Sequence, residues 1–542
     1  MKILAVHPPY PGAPAIQYVP LGFSLVLAQA RQQHDVTLLD LLNRSATWKD
    51  VDRELETGDY DACFISGFAM QVWGMREVTR RARTLSARTK VVIGGVGVSD
   101  IPQIALDYTG ADALALGECE LEILPMLASI DAGAPFEGVN GFAFRHGDHI
   151  VRNPKAALVH DLDALGLPAY DLFDVEGISR RAYNGWGYRS MYMESSRGCP
   201  FRCDFCINSV LNDPKMQSQI YGGSTERNST LRLRSVASLT TEIRHLQERW
   251  GIHDIVFSDE EFMTQKQRVF EMSEALKPLG VTWLTSGRAD WATRDKLQAM
   301  KDGGCRGVLF GIETGSQTMM NLMVKSAKKE RVVAGVTAAR DVGLGFIANF
   351  MIGHPGETRE TIQESVDFCR EMDLVYLPAY TTLFPNSRMF HERKDTLVKD
   401  WAEYFGTLSK IQFASNLLFN LTDLPDAELK RLRNRAIAQT IGFKVLGANR
   451  SRLVKALTPV LTAALWTAEH LPARMSFLLR NIVRAILDLH KPAARQIPPY
   501  ELAARDELAA RDGESDGYEE SLRILTQDET EGAASAPLTF HR

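Results

Sequence analysis

The chain has 542 residues, 45% of them hydrophobic and 24% charged, with a formal net charge of −5. That length exceeds one hydrophobic core and implies several domains of a soluble globular protein. The charge balance makes no whole-chain case for nucleic acid or an anionic membrane, and seven cysteines in so long a chain are not a disulfide framework.

The apolar run at Ile3–Val6 is ended by Pro8-Pro9 and is too short for a signal-peptide core. No stretch reaches the ~18 apolar residues that span a bilayer. A reduced, cytoplasmic protein is expected.

The N-terminal third alternates strands and helices. Strands are read at 2–6, 36–39, 62–65, 90–93 and 111–116, with helices from Pro20 to about Ala30 and from Gln71 to Leu85 between them. This rhythm predicts a parallel, doubly wound sheet, whose ligands bind beyond the carboxyl ends of its strands. Those ends carry His7-Pro8-Pro9, Ser66-Gly67, Gly94-Gly95 and Gly117-Glu118. The glycines either make tight turns or let a large ligand approach the backbone. Spacing does not decide between the two, and no dinucleotide fingerprint is present. Residues 120–180 read as a connector, glycine-rich from Gly133 to Phe144, with a rigid joint at Leu167-Pro168-Ala169.

A strand at 190–195 leads directly into Arg197-Gly198-Cys199-Pro200-Phe201-Arg202-Cys203-Asp204-Phe205-Cys206. The spacing is C-x3-C-x2-C. Three thiolates on one loop can hold three irons of a 4Fe–4S cube and leave the fourth iron open. The alternative is zinc, which wants four ligands, commonly as C-x2-C pairs; here there is no second pair and no nearby histidine.

The rest of the middle section has β/α rhythm. An amphipathic helix at 237–250 stops at Gly251. Strands at 254–257, 281–284, 307–310, 345–352 and 375–380 follow. Their ends carry Asp259-Glu260-Glu261, Ser286-Gly287-Arg288, Glu313 and Gly353-His354-Pro355-Gly356-Glu357. In such barrels chemistry sits at the carboxyl ends of the strands, where the cysteine loop also falls.

With these motifs on the page, the chain resembles the cobalamin-binding (class B) radical S-adenosylmethionine (radical SAM) enzymes. The C-x3-C-x2-C loop with Phe205 before its last cysteine carries the resemblance. Glu313, the Gly353–Glu357 turn, Pro8-Pro9, Pro20-Leu21-Gly22, Gly94-Gly95 and Gly117-Glu118 support it over roughly residues 1–400.

The resemblance implies an α/β protein. It has a Rossmann-like cobalamin domain at 1–150, a linker at 151–182, and a partial (β/α)6 TIM-like radical SAM core at 183–405. It implies that Cys199, Cys203 and Cys206 hold the cluster, whose open iron takes the amino and carboxylate groups of S-adenosylmethionine. Phe205 is expected near the adenine, and Ser286, Arg288 and Glu313 near the S-adenosylmethionine pocket. Asn349 lies on the adenine-contacting strand. Glu260 belongs to the acidic run expected at the methionyl amine. Pro9, Ser66, Gly67, Gly94, Gly95, Gly117 and Glu118 are expected around cobalamin.

The chain departs from the family pattern at three places. Asn349 and Met351 replace a glycine and an isoleucine. Cys119 replaces a glycine in the Gly117–Glu120 turn. There is no D-x-H-x-x-G motif, so cobalamin is expected without a histidine below the cobalt, and residues 1–150 expressed alone are expected to retain it.

By the same resemblance, cleavage of S-adenosylmethionine gives a 5′-deoxyadenosyl radical, used for methylating an unactivated carbon of a small or lipid-like substrate. The alternative is an oxidative cyclase resembling the anaerobic magnesium-protoporphyrin monomethyl ester cyclase. A non-catalytic cobalamin sensor has no need of the cysteine loop. Flavodoxin or ferredoxin is the expected electron donor, and no residue is assigned to proton or hydrogen transfer.

From about residue 400 the chain changes. Asp423-Leu424-Pro425-Asp426 can cap a helix to about Thr440, and 453–467 and 476–488 are apolar helical stretches. Lys430–Arg495 holds 13 Lys/Arg against two acids, and the chain from Glu501 holds 11 acids against four basic residues. A helical domain at 406–500 and an acidic, disordered tail at 501–542 are expected. The basic helices either cap the barrel, touch a membrane surface peripherally, or admit an apolar substrate.

Overall fold

The computed structural model describes residues 1–446 except 12–16, 44, 135, 182–189, 212, 222–230 and 412–415, together with Thr458, Pro459 and Thr462. Apart from those last three residues, the expected helices at 453–467 and 476–488 and the tail from 501 lie outside the described residues.

The first third forms one sheet: β1 (Lys2–His7), β2 (Asp35–Asp40), β3 (Ala62–Ser66), β4 (Lys90–Gly94), β5 (Ala113–Ala115), β6 (Phe142–His146) and β7 (His149–Arg152). Its order is β2-β1-β3-β4-β5-β6-β7, with β1 to β5 parallel. Strand order reverses between β1 and β3, and the loops leaving these strands diverge there to open a crevice. Successive residues of β1 face opposite ways. Leu4 and Val6 join the core under helices Trp48–Thr57, Val72–Leu85 and Pro102–Thr109. Ile3 and Ala5 join the core under Leu21–Ala30 and Ile123–Asp131.

The segment read as a glycine-rich connector is instead partly regular. Helix Ile123–Asp131 is followed by β6 and β7, an antiparallel hairpin added to the edge of the sheet. Its glycines serve the turns: Gly141 (φ +80°) precedes β6, and Gly147 (φ +60°) makes the tip. Phe142 and Phe144 pack into the core between them.

The second sheet begins with β8 (Met191–Met193). A short antiparallel pair follows, β9 (Ser196–Arg197) with β10 (Arg232–Leu233). Then come β11 (Asp254–Phe257), β12 (Thr282–Gly287), β13 (Cys305–Glu313), β14 (Gly345–Ile352) and β15 (Pro378–Tyr380). The order β8-β11-β12-β13-β14-β15 is sequential and all parallel, an open half-barrel of six strands. The helix before β11 starts where the Ser235 hydroxyl accepts the Ser238 N–H, and it ends at left-handed Gly251.

After β15 the chain leaves the barrel. Leu383, Met389, Phe390, Tyr404, Phe405, Leu408 and Ile411 are buried in the core of the first sheet, not of the barrel. Tyr404 donates to the Leu383 carbonyl at 2.6 Å, and Tyr10 donates to the Ile411 carbonyl at 2.5 Å. The core of the first domain is therefore built from two distant stretches of chain. The chain then returns: helix Asp426–Leu446 places Leu429 and Ala436 in the barrel core, and the Thr440 hydroxyl accepts the Tyr376 N–H. Among the described residues no helix is long and apolar enough to cross a membrane.

Candidate functional site

A cavity of about 650 Å³ lies between the carboxyl ends of β3, β4 and β5 and the mouth of the half-barrel. Ser66, Gly67, Gly94, Gly95, Gly117 and Glu118 all line it, and so does Glu260 from the barrel side. The glycines here serve close packing of one loop on another. A Cβ on Gly95 (φ +102°) would stand 2.3 Å from the Gly67 carbonyl oxygen, and one on Gly97 would stand 2.2 Å from the Ala69 nitrogen. The loops after β3 and β4 touch backbone to backbone, and together they form a smooth wall of the cavity. Behind this wall the cavity runs between the sheet and helix Leu21–Ala30 as an apolar slot lined by Phe23, Val26, Phe64, Val92 and Phe142.

Pro9 is not part of this site. It packs with Pro8 under Gly74 of helix Val72–Leu85, where any side chain at position 74 would collide with the pair. His7 also stays outside the lining. It is fully buried, with Nδ1 3.0 Å from the Asp40 carboxylate, and the Tyr18 ring packs edge-on against it and lines the cavity. None of the lining residues is a histidine.

Glu118 lines the cavity as the centre of a buried charge cluster. Both Arg232 Nη atoms donate to its carboxylate, at 2.5 and 2.7 Å, and Arg197 donates to Glu120 at 2.7 Å and Glu194 at 2.8 Å. Burial alone would raise the Glu118 carboxyl, but Arg232 and Arg197 hold it below its ordinary range. These pairs join β9 and β10 of the barrel half to the loop after β5. Lys155 stands over Gly117 in the same wall, and burial pushes its ammonium down to about 8, with Glu118 opposing. Sequence reasoning missed Tyr18, Lys155, Arg197 and Arg232, because lone aromatic or basic residues carry no spacing signal.

The acidic run after β11 divides by role. Asp259 accepts the Ser195 N–H at 2.7 Å and the Ser196 hydroxyl at 2.9 Å. Glu261 accepts the Met263 and Arg288 N–H groups, both at 2.8 Å. Those two carboxylates hold loops. Glu260 alone of the three lines the cavity, where burial, with Glu194 and Asp259 nearby, lifts its carboxyl to about 7.

The cysteine loop follows β9, turning at Gly198 (φ +87°). Cys199, Cys203 and Cys206 are half-buried thiols outside any disulfide. Burial pushes Cys199 and Cys206 up to about 12. Burial also raises Cys203, but Lys325 and Arg288 oppose it. Arg288 Nη1 lies 3.7 Å from the Cys203 sulfur, and its guanidinium sits 3.9 Å over the Phe201 ring. Asp290 and the Lys325 carbonyl fix the guanidinium. The Lys325 amino group in turn lies 3.4 Å from Glu313, a residue at φ +68° whose carboxylate folds back over Gly311. Cys203, Arg288 and Glu313 are thus brought together with Lys325, which the sequence did not single out.

Two further ties position the loop. His354 Nε2 lies 3.0 Å from the Asp204 carboxylate, and Ser209 donates to the Cys206 carbonyl at 2.7 Å while accepting the Arg388 N–H at 2.7 Å. Phe205 packs half-buried against the core of the first sheet. Ser286 is half-buried near the end of β12, and Asn349 is exposed in β14 just before buried Phe350. Among the described residues, no three His, Cys, Asp or Glu side chains gather closely enough for one metal ion.

These residues fit a 4Fe–4S cluster and cobalamin. A cube spreads its thiolates over several corners, and three thiols, with Arg288 and Lys325 beside Cys203, offer both the ligands and compensating charge. A smooth backbone wall with an apolar slot behind it suits a broad, flat ligand with a tail.

A doubly wound domain thus faces a thiol-bearing half-barrel across one cavity. Two family models match along the chain: the B12 binding domain over residues 14–124 and the Radical SAM superfamily over residues 193–369. The chain belongs to the cobalamin-binding radical SAM enzymes, whose cofactors are cobalamin, S-adenosylmethionine and a 4Fe–4S cluster.

It is 27% identical over 417 residues to an uncharacterized methyltransferase of Pyrococcus horikoshii, covering 74% of this chain and 86% of that protein. It is 25% identical over 421 residues to the anaerobic magnesium-protoporphyrin IX monomethyl ester cyclase of Rubrivivax gelatinosus, covering 74% and 72%. The fold is shared with the cobalamin-dependent S-adenosylmethionine radical enzyme OxsB, solved with aqua-cobalamin and S-adenosylmethionine bound. The TM-score is 0.60 at 15% identity, over 97% of this chain and 84% of that one.

Proposed function

We propose that this enzyme methylates an unactivated carbon of a small or lipid-like substrate. One observation carries the reading: a single cavity joins the glycine wall of the first domain to Tyr192, Ser258 and Glu260 at the barrel mouth. When bound, the cluster supplies the electron that cleaves S-adenosylmethionine, and cobalamin supplies a transferable methyl group.

The chain's own residues do the rest. Cys199, Cys203 and Cys206 hold the cluster. Arg288 and Lys325 keep positive charge beside Cys203, and the Asp204–His354 pair fixes the loop. Ser286, Glu313 and Asn349 face the S-adenosylmethionine side, and Ser66, Gly67, Gly94, Gly95 and Gly117 bound the cobalamin side. Tyr192, Ile207 and Leu211 exclude water from the space between. Glu260, with its carboxyl near neutrality, can hold or release a proton there. A flavodoxin or ferredoxin supplies the electron.

The cyclase relative favours a second reading, oxidation and ring closure of the substrate without methyl transfer. Reduced enzyme incubated with methyl-labelled S-adenosylmethionine and candidate substrates separates the two. Label in the product is the expected result; an oxidised, unlabelled product establishes the second reading.

A further inference from the structure

The chain recrosses from the barrel to the first domain through Leu383–Ser387, and Asn386 sits at the crossing with φ +64° and 5% exposure. Its backbone N–H donates to Asp100 Oδ2 at 2.6 Å, and its carboxamide nitrogen donates to the Val96 carbonyl. His391 Nε2 also meets Asp100. Val96 and Asp100 belong to the segment after β4 that carries the Gly95 wall. Asn386 is therefore clamped onto that wall from the far end of the chain.

With the nitrogen engaged, the carboxamide oxygen is left over. Asn386 Oδ1 is buried and meets no protein donor, and Asn386 lines the large cavity. A buried carbonyl oxygen without a donor is uncommon and costly, so this one calls for a donor from a ligand. The residues beside it on the lining, Val96 and Ser99, carry no charge. A cationic donor would be better served across the cavity by Glu194 or Glu260. A neutral acceptor suits a neutral N–H, its charged neighbour Asp100 being engaged by the Asn386 N–H and by His391, and the rim of cobalamin is studded with carboxamides.

We infer that Asn386 is a cobalamin-binding residue whose Oδ1 accepts an N–H from a peripheral carboxamide of the corrin. Cobalamin then contacts both the first domain and the returning strap. This rests on cobalamin as the cofactor of the glycine-walled cavity.

The test uses full-length apoprotein titrated with hydroxocobalamin and read by absorbance and equilibrium dialysis. Asn386→Gly keeps the left-handed backbone and deletes the acceptor; it is expected to weaken binding about tenfold. Its thermal midpoint without cobalamin should fall only by the loss of the Val96 hydrogen bond, and its iron content after reconstitution should match wild type. A panel of cobalamin monocarboxylates, each with one rim amide hydrolysed, supplies the other half of the cycle. One member should bind wild type about tenfold more weakly than cobalamin does, yet show no such loss with Asn386→Gly. Equal affinity of wild type and Asn386→Gly, or an unchanged ranking of the panel between them, overturns the inference. If wild type binds no cobalamin at all, the cofactor reading itself fails, a different result from equal binding by both proteins.

Discussion

Glu357 shows how one buried carboxyl sets a pH dependence. It ends the turn after β14, where one oxygen accepts the Gly353 N–H and the other, Oε1, is buried without a donor. Burial lifts its carboxyl from 4.5 to about 8. The folded state therefore keeps a proton that the unfolded chain has lost between those values. The stability this provides is fully present below about pH 4.5 and is lost as pH rises through 8. Glu357→Gln mimics the protonated form. Its thermal midpoint should exceed that of wild type by a margin that grows from pH 6 to 9, and a constant margin would contradict the assignment.

At this scale the sequence was legible only where spacing is diagnostic. Three cysteines within eight residues announce themselves. In Asp259-Glu260-Glu261 the three acids look alike, and only the partners of Asp259 and Glu261 single out Glu260. Asn386 had no signal, since its role depends on a contact across 290 residues of chain.

Among elements, the parallel strands of both sheets could be read from their apolar runs, and Gly251 from its place after a periodic helix. The hairpin β6–β7 could not, because its glycines look like a linker until Phe142 and Phe144 are seen in the core. The interlocked loops after β3 and β4 give a test at this level. Gly95→Ala forces a methyl group onto the Gly67 carbonyl in a left-handed backbone, whereas a Cβ on Gly22, in helix Leu21–Ala30, meets nothing within 4 Å. Gly95→Ala should cost roughly 2 kcal/mol or more of stability, and Gly22→Ala should be neutral or stabilising by up to about 1 kcal/mol. Chemical denaturation of the two apoproteins checks this, and equal effects would mean that the loops are not packed as described.

For the whole molecule, expected boundaries at 150 and 405 follow the chain, but the cores do not. The first domain takes Leu383, Phe390, Phe405 and Leu408 from beyond the barrel, and its cavity takes Tyr192, Arg232, Glu260 and Asn386. A sequence read in order cannot show such a return. Residues 1–150 alone should therefore expose the face those side chains cover. They should aggregate or remain partly unfolded in circular dichroism and gel filtration, and they should not retain cobalamin. A monodisperse, folded fragment that keeps cobalamin would contradict this. The described part of the basic C-terminal region, helix Asp426–Leu446, caps the barrel. A chain ending at 500 keeps that helix and should turn over, whereas one ending at 410 loses it along with Leu429 and Ala436 from the barrel core and should be inactive.

The account stands on the cysteine loop as the seat of reductive cleavage. The most direct measurement is 5′-deoxyadenosine released from S-adenosylmethionine by anaerobically reconstituted, dithionite-reduced full-length protein, compared with the Cys199→Ala, Cys203→Ala, Cys206→Ala triple variant. Wild type should carry about four irons per chain and release 5′-deoxyadenosine, and the triple variant should do neither. A triple variant that kept its iron and still cleaved S-adenosylmethionine would contradict the account.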